Sequence, residues 1–96
     1  MENREYICTL FDYYGKLLTD KQTEYFQDYY FDNLTLSEIS ENNNISRNAV
    51  HKTIKEAEEK LIFYETNLKL YSKSEEIKKI ISNLDVDLQN KIIQLI

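Results

Sequence analysis

The chain has no proline and a single glycine, Gly15, in 96 residues. Those two residue types end helices and reverse strands most readily. A chain this poor in them, and rich in Leu, Ile, Glu and Lys, is driven toward helix almost throughout. The expected fold class is therefore all-α, a small helical bundle. At this length one modest core can form but not two, so residues 1–96 are expected to make a single helical domain. Where helices stop, the breaks must come from capping side chains and from asparagine, the non-glycine residue most at ease with positive φ.

A first helix is expected from about Asn3 to Leu18, with Ile7, Leu10, Phe11, Tyr14, Leu17 and Leu18 on one face. Gly15 falls inside it, costing about 1 kcal/mol against alanine, and a close helix crossing is one reason to keep it. Thr19 and Gln22 make a capping box for a second helix, which carries Tyr25, Phe26, Tyr29 and Tyr30 and ends near Asp32-Asn33. Thr35 and Glu38 make another, opening a short helix over residues 36–41. Asn42-Asn43-Asn44 then breaks the pattern, Ile45 follows as an apolar peg, and Ser46 caps a long helix. Along that helix Val50, Ile54, Ala57, Leu61, Tyr64, Leu68 and Tyr71 alternate steps of four and three, with no stop signal before Tyr71-Ser72. Ser72 with Glu75 opens a further helix bearing Ile77, Ile80, Ile81 and Leu84. Asp85 caps a last one holding Leu88, Ile92, Ile93, Leu95 and Ile96.

Within this plan residues 34–57 read as a helix-turn-helix. Ile39, Ile45, Val50 and Ile54 can share a small core between its two helices. Such a pair presents the start of its second helix to the DNA major groove. The net charge of −5 opposes nucleic-acid binding at first sight, but its distribution matters more than its sum. Residues 1–45 carry nine acids against three bases, and residues 56–96 carry eight against six. Residues 46–55 carry Arg47, Lys52 and Lys55 and no acid. The one clearly positive segment is thus the start of the expected recognition helix. Ser46 and the free N–H groups beside it would hold a phosphate. Arg47, Asn48, His51 and Lys52 would reach base edges or flanking phosphates, and Lys55 the backbone further along. Thr35 and Ser37 either touch phosphate or only cap. The same strip would equally suit RNA or an acidic protein surface.

Other chemistry is poorly provided for. One His and one Cys in separate helices make no metal site, and there is no glycine-rich phosphate loop. No cofactor, no metal and no enzymatic activity are expected. Cys8, near Ile7, Leu10 and Phe11, reads as core filling, and the eight tyrosines as core or rim. A lone cysteine suits a reducing compartment, the acidic N-terminus MENREYICTLFDYY lacks a secretory pattern, and no apolar run is long enough to span a membrane. A cytoplasmic protein without membrane insertion is expected. The long helix has a second apolar stripe at Ile62, Phe63 and Leu70, and the sequence closes on apolar residues. A homodimer is expected to cover these, with Leu61, Tyr64, Leu68 and Tyr71 as the seam of the bundle or of the dimer.

Four motifs occur in order: L-L-T-D-K-Q-T-E-Y-F-x-x-Y-Y (Leu17–Tyr30), L-S-E-I (Leu36–Ile39), I-S-R-N-A-V (Ile45–Val50) and I-K-x-A-E (Ile54–Glu58). From about Phe11 to Tyr71 the chain closely resembles the YlxM-like proteins, small bacterial proteins whose helix-turn-helix is similar to region 4 of sigma factors. The resemblance implies a sigma-region-4-like fold. It also implies an accessory or regulatory role in the signal recognition particle pathway, through protein or RNA binding. The alternative is a DNA-binding transcriptional regulator that sets residues 46–57 in the major groove. Three positions depart from the family pattern. Asn44 stands where the turn usually has glycine, Ser40 where a small alanine is usual, and Glu56 where a basic residue is often found. The last removes positive charge from the outward helix.

Overall fold

Side-chain caps decide where the helices begin. Thr19 Oγ1 accepts the Gln22 N–H at 3.2 Å while Gln22 Oε1 accepts the Thr19 N–H at 3.0 Å. Thr35 and Glu38 repeat the exchange at 3.1 and 2.9 Å. Ser46 Oγ accepts the Ala49 N–H at 3.0 Å, and Asp85 Oδ1 the Leu88 N–H at 3.1 Å. Each cap contributes about 1 kcal/mol. The computed structural model describes residues 3–96 and is all-α, with no strand among the described residues. Its helices are α1 (Arg4–Tyr14), α2 (Asp20–Tyr30), α3 (Leu36–Asn43), α4 (Arg47–Leu68), α5 (Leu70–Ile80) and α6 (Val86–Ile93), with a 3₁₀ turn at Gly15–Leu17.

The other N-terminal helices gather around α4, which packs against α1, α2 and α3. Val50, Ile54, Ala57 and Leu61 bury the inner stripe of α4 in one cluster with Ile7, Leu10, Phe26 and Ile39. Aromatic rings fill the remaining space. Phe11 stacks on Phe26 at 4.6 Å, and Phe26 meets Tyr30 at 4.5 Å. All eight tyrosines are buried in this cluster or packed against it, so none forms an open stacking platform. Cys8 also packs on the core, and burial pushes its thiol up despite the opposing charge of Arg4.

The structure refines several of these expectations. The first helix ends at Tyr14, and Leu17 is exposed. Gly15 has an ordinary helical φ of −56°, and a Cβ there would meet the Phe11 ring at 3.0–3.1 Å. The close approach is therefore an aromatic side chain of its own helix, not a second helix. The long helix stops at Leu68, because Lys69 takes the left-handed conformation at φ 56°. Of the expected seam, Leu61 is fully buried within one chain and Tyr64 half-buried on the core. Leu68 is exposed, and Tyr71 lies on α5 with its ring 5.9 Å from both Tyr6 and Tyr13. The Ser72–Glu75 box does not form, since the Ser72 N–H and hydroxyl both go to Glu65. Finally, Ile45 lies on the rim of the motif core rather than inside it.

Glu65 explains the break at Lys69. Its carboxylate, 5% exposed, accepts the Tyr71 N–H at 3.1 Å, the Ser72 N–H at 3.0 Å and the Tyr14 hydroxyl at 2.6 Å. The Tyr14 oxygen in turn accepts the Leu70 N–H at 3.0 Å. A side chain of α4 and one of α1 thus do for α5 what a local N-cap does elsewhere. Beyond the elbow α5 packs against α1 as well as α4, and the molecule measures 53 × 24 × 23 Å. Among the elements, α6 packs chiefly on α5 and has no buried residue.

Candidate nucleic-acid interface

The corner between α3 and α4 is set by backbone geometry at one residue. Asn44 adopts φ 54°, ψ 41°, the left-handed conformation expected of it. The Ile45 N–H then reaches back to the Ser40 carbonyl at 3.2 Å, and Asn43 Nδ2 donates to the Ile39 carbonyl at 2.8 Å. These bonds satisfy carbonyls left over at the end of α3. Ile39, Val50 and Ile54 are buried behind the corner and fix the two helices against each other.

That packing decides which residues face out. With Val50 and Ile54 turned inward, Ser46, Arg47, Asn48, His51, Lys52 and Lys55 are all exposed. Arg47, His51 and Lys55 follow one another at four-residue steps on a single row, and Asn48 and Lys52 form the next row. The ridge runs about 15 Å at the helical rise per residue. Arg47, Lys52 and Lys55 form no ion pair with any described residue; the ion pair the described residues do make joins Lys21 to Glu24 on α2 at 3.4 Å. Ser46 takes the Ala49 N–H, which leaves the Arg47 and Asn48 N–H groups at the helix start without a partner among the described residues. The positive strip ends abruptly. Glu56 and Glu59 are exposed just beyond Lys55, while Glu58 accepts the Tyr30 hydroxyl in a short hydrogen bond.

Sequence reasoning missed one further cation. Arg4 lies across the end of α2, donating to the Tyr29 carbonyl at 3.1 Å, the Tyr30 carbonyl at 2.7 Å and Asn33 Oδ1 at 3.2 Å. Its guanidinium also sits 4.8 Å from the centroid of the Tyr30 ring. So held, Arg4 shares a shallow cleft with Arg47, Thr35 and Ser37. These contacts span 25 to 29 residues, so no local pattern announces them. Thr35 and Ser37 are exposed beside this cleft; Thr35 is occupied as a cap, and the Glu38 carboxylate folds back onto its N–H. His51 and Lys55 open on a neighbouring cleft whose lining also includes Glu58 and Glu59. No group of three or more potential metal ligands exists among the described residues, and no helix of the described chain is long and apolar enough to cross a membrane.

Two short-linked helices meeting at a left-handed asparagine, with the start of the second helix outward and basic, define a helix-turn-helix protein. Residues 1–96 match the model of the UPF0122 family, described as "Putative helix-turn-helix protein, YlxM / p13 like", and the chain belongs to that family. It is 44% identical over 95 residues to the UPF0122 protein of Malacoplasma penetrans, covering 93% of this chain and 89% of that one. The UPF0122 protein of Clostridium acetobutylicum is 43% identical over 95 residues, covering 96% and 82%. That of Caldanaerobacter subterraneus is 46% identical over 79 residues, covering 82% and 68%. The family description names a fold motif and no reaction.

Proposed function

We propose that this chain is an accessory factor that binds nucleic acid, gripping backbone phosphates and reading base edges with the first turns of α4. One observation carries the reading: Arg47, Lys52 and Lys55 stand exposed and form no ion pair with any described residue, on a chain that is otherwise acidic. Unpaired cations on a rigid helix lose little on meeting phosphate, and their counterion release favours a polyanion. Duplex DNA suits the shape, because a single helix fits the major groove and Arg47 and Asn48 match guanine and adenine edges. Arg4 and the start of α3 would then border a flanking phosphate.

The carboxylates at Glu56 and Glu59 favour a second reading, since they shorten the positive strip to about two and a half turns. A ligand touched over a short stretch, such as a folded RNA or an acidic protein surface, suits that footprint. The signal recognition particle components implied by the YlxM resemblance are ligands of this kind. Fluorescence anisotropy at low salt with a duplex DNA, signal recognition particle RNA and its GTPase separates these readings. The double substitution Arg47→Glu, Lys52→Glu should abolish the genuine interaction while leaving the circular dichroism spectrum unchanged, because both side chains are exposed. Undiminished binding by that variant would place the site elsewhere.

A further inference from the structure

Arg4 has a structural duty that occupies only part of its side chain. Nη2 alone makes the bonds to the Tyr29 and Tyr30 carbonyls and to Asn33 Oδ1 that close the end of α2. A guanidinium carries its N–H donors on three nitrogens in a flat fork. The Nε and Nη1 groups of Arg4 make no hydrogen bond to any described residue. The side chain is nevertheless held, by those bonds and by the Tyr30 ring 4.8 Å away. An arginine fixed in advance loses little rotamer freedom when a ligand arrives.

The cleft that Arg4 lines has an unusual charge for this chain. Arg4 from α1 and Arg47 from α4 both line it, with Asn33, Thr35 and Ser37 between, and no carboxylate does. Glu38, on the same helix as Ser37, is occupied with the Thr35 N–H. The chain as a whole carries −5, so two arginines in one acid-free cleft stand out. A concave surface lined by one sign of charge concentrates ions of the other. The cleft is shallow, and its volume of about 370 Å³ is at the low end for sites that enclose a small molecule. That shape suits one phosphate carried on a longer chain. We infer that Arg4 holds a backbone phosphate of the nucleic acid gripped by α4, with the Ser37 hydroxyl as a further donor and Arg47 adding charge where the cleft meets the ridge; this rests on the reading of α4 given above. Glu56 and Glu59 end the positive strip beyond Lys55, and Arg4 extends it at the other end, past the start of α3 onto α1. The footprint is then a track that bends around the helix-turn-helix corner. Contacts of this kind position the ligand and carry no sequence information.

Fluorescence anisotropy of the full chain with labelled duplex DNA, over about 0.02 to 0.2 M salt, tests this. Arg4→Gln should weaken binding about three- to tenfold, equally on unrelated sequences, and make the slope of log K against log salt shallower by about one. Arg4→Lys keeps the charge and should restore most of that slope. Because Arg4 also closes α2, a second variant leaves it untouched. Ser37 is exposed, and its hydroxyl makes no hydrogen bond with any described residue. An acid in the first turn of a helix favours the helix, so Ser37→Glu should fold as the parent does while setting a carboxylate in the cleft. It should weaken binding at least about tenfold. Should Arg4→Gln lose helicity, Ser37→Glu decides alone. A folded variant of either kind that binds as tightly as the parent, with the parent's slope, overturns the inference. If the Arg47→Glu, Lys52→Glu double variant still abolishes binding in that case, the ridge stands and the cleft alone is lost. A parent that binds no nucleic acid at low salt removes both. Inorganic phosphate bound alone below about 0.1 mM, in an Arg4-dependent way, would make the ligand a free anion and overturn the assignment to a backbone phosphate.

Discussion

Glu65→Gln tests the elbow that aims α5. The native carboxylate receives two backbone N–H groups and the hydroxyls of Tyr14 and Ser72, and Tyr14 is 1% exposed. Glutamine keeps the shape but replaces one acceptor oxygen with a donor. Whichever way the amide turns, one side faces donors with a donor. Hydrogen bonds to a charged group contribute about 1.5–3 kcal/mol, and an unsatisfied buried donor costs a similar amount. One side of the network survives, so a loss of about 2–4 kcal/mol is expected, a melting point lower by about 10–20 °C for a domain of this size. Burial pushes the Glu65 carboxyl up, but the bonds from Ser72, Tyr14 and Tyr71 outweigh it, and the net shift is downward. A carboxyl depressed in the folded state contributes fully above its unfolded value of about 4.3, and that contribution fades as pH falls through the folded value. The parent should therefore lose stability on its acid limb more steeply than Glu65→Gln, which has no proton to take up there. Urea titrations followed by far-ultraviolet circular dichroism at pH 7 and across the acid range measure both effects. A variant within about 0.5 kcal/mol of the parent at pH 7, with an identical acid limb, would refute the elbow account.

Other positions give simpler tests. Gly15→Ala should destabilise by about 1 kcal/mol in urea titrations, although alanine ordinarily strengthens helical positions, because the Phe11 ring is stacked on Phe26 and cannot retreat. A gain in stability would mean that the ring yields. At the corner, Asn44→Gly should be neutral or slightly stabilising and Asn44→Ala should cost about 1 kcal/mol, since φ of 54° suits glycine and penalises alanine; equal melting points would contradict that strain. The Tyr14 hydroxyl is pushed up to about 12, first by burial and then by its bond to Glu65. Its contribution is complete below the unfolded tyrosine value of about 10 and is lost as pH rises through the folded one, so stability should fall across that window. Tyr14→Phe should flatten the fall, and an unchanged alkaline limb would remove Tyr14 as its source.

What the sequence reveals and what it hides follow one division. Thr19, Thr35, Ser46 and Asp85 cap with groups three residues away, and Asn44 turns on its own backbone preference. Such signals are local, so helix starts and the helix-turn-helix corner are legible. The outward face of α4 is legible too, because burying Val50 and Ile54 fixes where Arg47, His51 and Lys55 must lie. The stop at Lys69 is not, since the groups that hold α5 come from Glu65 and, across 56 residues, from Tyr14. The apolar repeat runs through Leu68 to Tyr71 regardless, and periodicity cannot see that the helix ends between them. Arg4 is hidden for the same reason, its partners lying on the far end of α2. Gly15 reads as a packing feature, but only the folded ring of Phe11 shows against what.

The most direct test of the cationic ridge is the salt dependence of binding to a duplex or structured RNA. Three exposed cations per chain should make log K fall with log salt at a slope of about −3 on DNA, and Lys52→Ala should reduce that slope by about one. Binding that is absent even at low salt, or whose slope ignores the loss of Lys52, would contradict the assignment of residues 46–55 as the gripping surface.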